Sequence, residues 1–159
     1  MLSKQTDKKL FLLDAYALIY RAYFAFAKNP RVNSKGQNTS AAFGFTNVLI
    51  DVIKTEQPTH LAVVFDPPGG SVHRQTEFEA YKAHREEMPE DIRSMIQPIK
   101  RIVEAFNVPI LEVNGYEADD VIGTLAKMAE KRGFTTYMMT PDKDYGQLVS
   151  DKSFIYKPG

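Results

Sequence analysis

The chain contains no cysteine. Disulfides and thiolate metal sites are therefore excluded. Histidine is scarce, with only His60, His73 and His84. No apolar run is long enough to span a bilayer, and Met1 to Lys9 lack the apolar stretch of a secretory leader. The expected location is the cytoplasm, with no membrane partner. Charge of one sign is also missing: 20 Lys and Arg balance 20 Asp and Glu, so the net charge is zero. A strongly basic protein that coats DNA is unexpected on that balance. Nucleic acid is not excluded, because acids gathered for metal and bases gathered for phosphate still sum to nothing. No internal repeat, low-complexity segment or glycine-rich phosphate loop occurs; Gly36, Gly44, Gly69 and Gly70 do not form one.

What is present suits one soluble domain. The length of 159 residues and the apolar content of 43% allow a real buried core. Short apolar runs read as buried strands at Leu10–Leu13, Leu61–Phe65, Pro109–Val113 and Thr135–Met139, with a last strand near Phe154–Tyr156. Helical spacing covers Ala15–Ala27, Ser40–Lys54, Asp91–Phe106 and Glu117–Arg132, the last closed by Gly133 at the C′ position. A short helix is expected up to Val149. Ser71–Pro89 is dense in charge and reads as an exposed, partly helical excursion. Strands separated by helices predict an α/β fold: a mostly parallel sheet covered on both faces. In such sheets ligands bind beyond the carboxyl ends of the strands.

Acids occupy those ends. Asp14 follows the first strand and Asp66 the second. Glu117, Asp119 and Asp120 follow the third after an Asn114-Gly115 turn, and Asp142 and Asp144 follow the fourth. Singly, each has an ordinary explanation. Asp14 and Asp66 suit N-caps for the elements that follow them, Glu117, Asp119 and Asp120 suit a first helical turn, and Asp142 suits a turn. Jointly they crowd one edge, where they would repel unless a cation joined them. An all-oxygen set with few histidines and no cysteine suits Mg²⁺ or Mn²⁺ rather than Zn²⁺. A cluster this large suggests two ions, roughly 3.5–4 Å apart, one activating water and one stabilising the leaving oxygen of a phosphodiester. No Ser-His or Cys-His nucleophile arrangement is visible.

A cut phosphodiester also needs cations. His73, Arg74, Tyr81, Lys82, His84 and Arg85 lie in the excursion after Asp66, although Glu77, Glu79, Glu86 and Glu87 offset them and a solvated helix has the same composition. Tyr16, Tyr20, Tyr23, Phe24 and Phe26 cluster after Asp14 with Arg21 among them. Core packing is the ordinary role of such aromatics, and stacking on a terminal base is the functional one. Two other classes share acids at a parallel sheet edge. A phosphatase or phosphoacceptor would use one Asp as nucleophile, and a non-catalytic binding module would hold nucleic acid without cutting it.

Five blocks then carry a resemblance: Leu-Leu-Asp14-Ala-Tyr with Tyr20-Arg21-Ala-Tyr23; Val-Val-Phe-Asp66; Tyr81-Lys82-Ala-His-Arg85; Gly115-Tyr-Glu117-Ala-Asp119-Asp120-Val-Ile-Gly-Thr-Leu-Ala; and Thr-Pro-Asp142-Lys-Asp144. Together they resemble the flap endonuclease family, in the form of the N-terminal 5′-nuclease domain of bacterial DNA polymerase I. The match runs over nearly the whole chain from Leu10. It implies a three-layer α/β/α PIN-like domain over residues 10–159, after a tail at 1–9. It implies a metal-dependent 5′-3′ exonuclease and 5′-flap endonuclease acting on flaps, nicked duplex and RNA-primer ends in replication and repair, as a monomer. Asp14, Asp66, Glu117, Asp119, Asp120, Asp142 and Asp144 become metal-site acids, with Mg²⁺ or Mn²⁺ in two sites. Arg74, Lys82 and Arg85 fall in a helical arch over the cut site. Tyr20, Arg21, Tyr23 and Tyr81 become DNA contacts.

Ala15 stands where the family commonly has Gly, and Pro67-Pro68 where it often has Ala-Lys, which removes one cation at the start of the arch. The family domain also continues beyond this length, with a further acid pair and a helix-hairpin-helix element. A piece ending at Gly159 is expected to bind metal weakly and to have reduced or no nuclease activity.

Overall fold

The computed structural model describes residues 8–68, 88–140, 149–150 and 152–156. The arch residues Arg74, Tyr81, Lys82 and Arg85 lie outside them. So do Asp142, Asp144, the helix expected before Val149, and the first seven residues.

Five strands form one sheet in the order β3-β2-β1-β4-β5. They are β1 (Lys8–Asp14), β2 (His60–Val64), β3 (Ile110–Leu111), β4 (Phe134–Met139) and β5 (Ser153–Tyr156). Every neighbouring pair is parallel. The chain winds outward from β1 in one direction through β2 and β3, then in the other through β4 and β5. The switch point between β1 and β4 is where such sheets open a crevice.

Side chains on a strand alternate between faces, and the core divides accordingly. Phe11, Leu13, Val63, Phe65 and Met139 pack with helices α1 (Ala15–Ala25), α2 (Ser40–Asp51), α3 (Glu90–Arg93) and α4 (Ile96–Ala105). Leu12, Ala62, Val64 and Met138 pack on the other face against Ala118, Ile122 and Ala126 of α5 (Ala118–Lys131). The result is the expected three layers, with one helix layer on each face. No described helix is long and apolar enough to cross a membrane.

Several boundaries differ from the sequence expectation: the third strand, expected over Pro109–Val113, is reduced to Ile110–Leu111, and three other differences have a definite physical reason. The helix expected over Asp91–Phe106 breaks at Ser94–Met95. Pro98 has no amide hydrogen and would clash with the Ser94 carbonyl in a continuous helix. The break moves Pro98 into the first turn of α4, where an amide lacks an intrahelical partner in any case. Helix α2 runs on through a π-helical turn, Val52–Glu56, which stops at Gln57 in a left-handed conformation before Pro58. Strand β1 starts at Lys8, inside the expected tail, because Lys8 and Lys9 pair with Phe134 and Thr135 of β4. Gly133 has φ 84°, as its C′ position after α5 requires.

Helices α1 and α2 cross closely at a glycine. A Cβ on Gly44 would lie 2.6 Å from Ala22 Cβ and 3.3 Å from Ala22 Cα. Gly44→Ala gains about 1 kcal/mol of helix propensity but overpacks a contact with little room to yield, at a cost of about 1–3 kcal/mol. Urea denaturation is expected to show a lower midpoint for the variant.

Below the sheet, Glu56 joins three elements. The Lys9 ammonium donates to the Glu56 carbonyl at 2.7 Å and pairs with Oε1 at 3.3 Å, and the Tyr156 hydroxyl donates to Oε2 at 2.9 Å. The Glu56 bond, then burial, then the charges of Glu56 and Asp51 raise the Tyr156 hydroxyl above its usual pKa of 10.0. The folded chain thus holds this proton more tightly than the unfolded chain. Its stabilising effect is complete below pH 10 and is lost as pH rises through the folded value. Denaturation midpoints measured across the alkaline range should fall less steeply for Tyr156→Phe than for the parent.

Candidate metal centre

Alternation places the acids. Leu12 faces α5, so Asp14, two residues on, faces it too; Val64 and Asp66 repeat the relation on β2. Met138 and Thr140 repeat it on β4. Asp14 and Asp66 are each 7% exposed and Glu117 is 8% exposed. These are buried carboxylates, a costly arrangement unless hydrogen bonds or a cation compensate.

The hydrogen bonds bear on the capping explanations. Asp14 sits at the N-cap of α1, but its side chain makes no capping hydrogen bond. It accepts instead from the Thr140 hydroxyl at 3.2 Å. Asp66 caps a helix that starts far along the chain. Its Oδ1 accepts the amide of Ala118, the first residue of α5, at 2.7 Å. Glu117 occupies the N-cap of α5 and makes no side-chain cap bond either. The bond to Asp66 crosses from β2 to α5 and ties the two acid-bearing segments together.

That bond also fixes the turn that gathers the remaining acids. Gly115, with φ 88°, turns the chain from β3 into α5, a backbone conformation that suits glycine. Glu117, Asp119 and Asp120 then offer one carboxylate oxygen each, all within 4.8 Å of one another. Asp119 Oδ1 and Asp120 Oδ2 are shielded from solvent. At such separations each ionised pair repels by about 3 kcal/mol or more at an effective dielectric near 20. The helix dipole returns only about 0.3–1 kcal/mol per acid. A hard divalent cation fits this donor set, which is all oxygen, crowded and sheltered.

Of the seven acids singled out in the sequence, the structure brings three into one cluster. It puts Asp14 and Asp66 on the same face and edge, and Asp142 and Asp144 lie outside the described residues. On α1, Arg21 is exposed, while Tyr20 and Tyr23 are half-buried against the core. The Tyr23 ring meets Phe24 at 5.1 Å, and Phe24 is 58% exposed.

Sequence reasoning passed over three features. Thr140 lies at the switch point; its signal was the strand alternation carried one residue past β4. The Arg31 guanidinium stands 5.4 Å from the Phe26 ring and 5.0 Å from the Phe43 ring. Its signal was charge segregation, since residues 15–50 contain Arg21, Lys28, Arg31 and Lys35 but no acid. Lys100 lies 4.8 Å from the centre of the Phe65 ring and pairs with Glu112 at 3.2 Å; no local pattern announces it.

The family described as 5′-3′ exonuclease, N-terminal resolvase-like domain matches residues 9–158. The chain belongs to this family. It is 44% identical over 142 residues to a DNA polymerase I of Chloroflexus aurantiacus, covering 89% of this chain and 15% of that protein. It is 40% identical over 151 residues to a 5′-3′ exonuclease of Aquifex aeolicus, covering 95% of this chain and 51% of that one. The chain therefore spans about half of the shorter relative and a small part of the longer. Among solved structures, the T5 D15 protein co-crystallized with metal ions superposes with a TM-score of 0.71. It is 18% identical, and the match covers 94% of this chain and 55% of that one. At that identity the likeness shows a shared fold.

Carboxylate crowding has a measurable consequence. Asp119→Asn removes one charge from the cluster without changing its shape. In the absence of divalent ions the variant should melt at a higher temperature than the parent. Added Mn²⁺ should raise the parent's melting temperature and leave the variant nearly unmoved.

Proposed function

We propose that this chain is a metal-dependent 5′-nuclease that hydrolyses DNA phosphodiester bonds, acting as a 5′-3′ exonuclease and 5′-flap endonuclease. The observation that carries the reading is the sheltered cluster of Glu117, Asp119 and Asp120, with Asp14 and Asp66 buried on the same sheet face, at the carboxyl edge of a sheet in a 5′-3′ exonuclease family. Those five acids, joined by Asp142 and Asp144, would hold Mg²⁺, with Mn²⁺ able to substitute, in two sites. A divalent ion held there supplies Lewis acidity: it acidifies water and offsets phosphate charge.

The protein's own residues supply position and charge. The Asp66–Ala118 bond keeps the first turn of α5 against the end of β2, so the carboxylates are in place before substrate arrives. The acid-free stretch over residues 15–50 gives the other side of the sheet edge a positive surface with exposed aromatic rings. That combination suits a phosphate backbone with stacked bases. Arg21 would meet phosphate there, Tyr20 and Tyr23 would support a base contact, and Arg74, Tyr81, Lys82 and Arg85 would meet the strand from the arch. In this reading a DNA polymerase I of the kind found among the relatives would use the domain to remove primers and translate nicks, in the cytoplasm and as a monomer.

Release of product from a labelled 5′-flap duplex tests the reading. Cleavage should require Mg²⁺ or Mn²⁺ and stop with a chelator. Asp119→Ala should lower the rate by about a hundredfold or more, since even residues behind the ligands cost 10–100-fold when removed. Cleavage that survives the chelator, or an unchanged rate in Asp119→Ala, would reject it.

A further inference from the structure

Thr140 is buried completely, directly after β4. The last parallel pair between β1 and β4 joins Leu13 to Met139. Asp14 and Thr140 are the next residues on each strand, so they stand across the switch point on the α5 face. The Thr140 hydroxyl donates to Asp14 Oδ2 at 3.2 Å between two residues that solvent barely reaches. A valine at this place would fill the same volume, and β4 already carries Met138 and Met139 in the core. What threonine adds to that volume is a hydroxyl donor beside a buried carboxylate.

We infer that Thr140 is a positioning residue for the metal centre: its hydroxyl fixes the Asp14 carboxylate so that the acid presents one chosen oxygen toward the cluster at the start of α5. The inference rests on the metal reading proposed above and extends it to a residue outside the acid set. Two physical points support it. A carboxylate at the end of a strand rotates about its terminal bond with a broad preference, so its direction must be set by a partner. Threonine suits that task better than serine, because branching at Cβ leaves few side-chain rotamers and aims the hydroxyl in advance. The capping alternative for Asp14 is already removed, since the side chain makes no cap bond to α1. Groups that hold a ligand from behind typically change metal affinity by about 10–100-fold when lost.

Mn²⁺ binding to the whole chain, measured by calorimetry without DNA, tests this directly. Thr140→Val should weaken Mn²⁺ binding by about tenfold or more, and circular dichroism without metal should show that the variant keeps the parent's fold. Thr140→Ser keeps the donor and should recover most of the affinity. Asp14→Asn combined with Thr140→Val should bind no more weakly than Asp14→Asn alone, because the hydroxyl acts through that carboxylate. Should Thr140→Val not fold, the Ser variant and the Thr140→Ala pair with Asp14→Asn carry the same comparison. Parent-like Mn²⁺ affinity in Thr140→Val overturns the inference. So does an equal loss in the Ser and Val variants, or an undiminished effect of Thr140→Val in the Asp14→Asn background. If the parent itself binds no divalent ion, the metal reading falls and this inference falls with it.

Discussion

The hydrogen bond from the Ala118 amide to Asp66 Oδ1 is the constraint around which the site is arranged. Helix α5 begins at Ala118, and its first amides have no intrahelical partner. An acid 52 residues earlier in the chain satisfies one of them. Through that bond the end of β2 and the start of α5 become one rigid corner. Glu117, Asp119 and Asp120, already crowded by sharing one helical turn, are thereby held at the end of β2, and their repulsion is retained in the folded chain.

Retained repulsion must be outweighed by the rest of the fold, and the two core layers do this. Phe11, Leu13, Phe65, Phe45 and Leu49 are fully buried on one face, with Leu12, Val64 and Ile122 fully or almost fully buried on the other. At about 1.5–3 kcal/mol per large buried side chain, a few of them offset the carboxylate crowding. The core therefore lets a locally unfavourable cluster persist at a functional edge. Polar satisfaction is local as well: Thr140 serves Asp14, Asp66 serves Ala118, and Glu56 serves Lys9 and Tyr156 on the opposite side of the sheet.

Charge is segregated in the same way as burial. The chain is neutral overall, yet residues 15–50 carry cations and no acid, while the carboxylate edge gathers acids. A field of opposite signs on neighbouring surfaces suits a ligand that is itself an anion bridged by cations. Arg31 between Phe26 and Phe43 shows how that surface is stiffened: the cation is held by two rings rather than by an acid.

Much of this was legible along the chain. Apolar runs separated by helical periodicity specify strands and helices, and alternation specifies the faces, so the layers and the acids at the strand ends follow from local pattern. The ends of elements were less legible: Pro98 acts through a carbonyl four residues away, and the β4 pairing that draws Lys8 and Lys9 into β1 comes from a strand more than a hundred residues later. Taken by itself, the sequence determined which residues are acids, that no thiolate or imidazole set competes with them, and that they follow strands. Only the tertiary structure decided which of them meet. Asp66 reaches the start of α5, 52 positions on, and Asp14 turns to Thr140, 126 positions away, without a cap bond to α1. The physical reason is that a parallel sheet pairs strands by winding order. Partners at its carboxyl edge are set by register across the switch point, and no spacing in the sequence records that register.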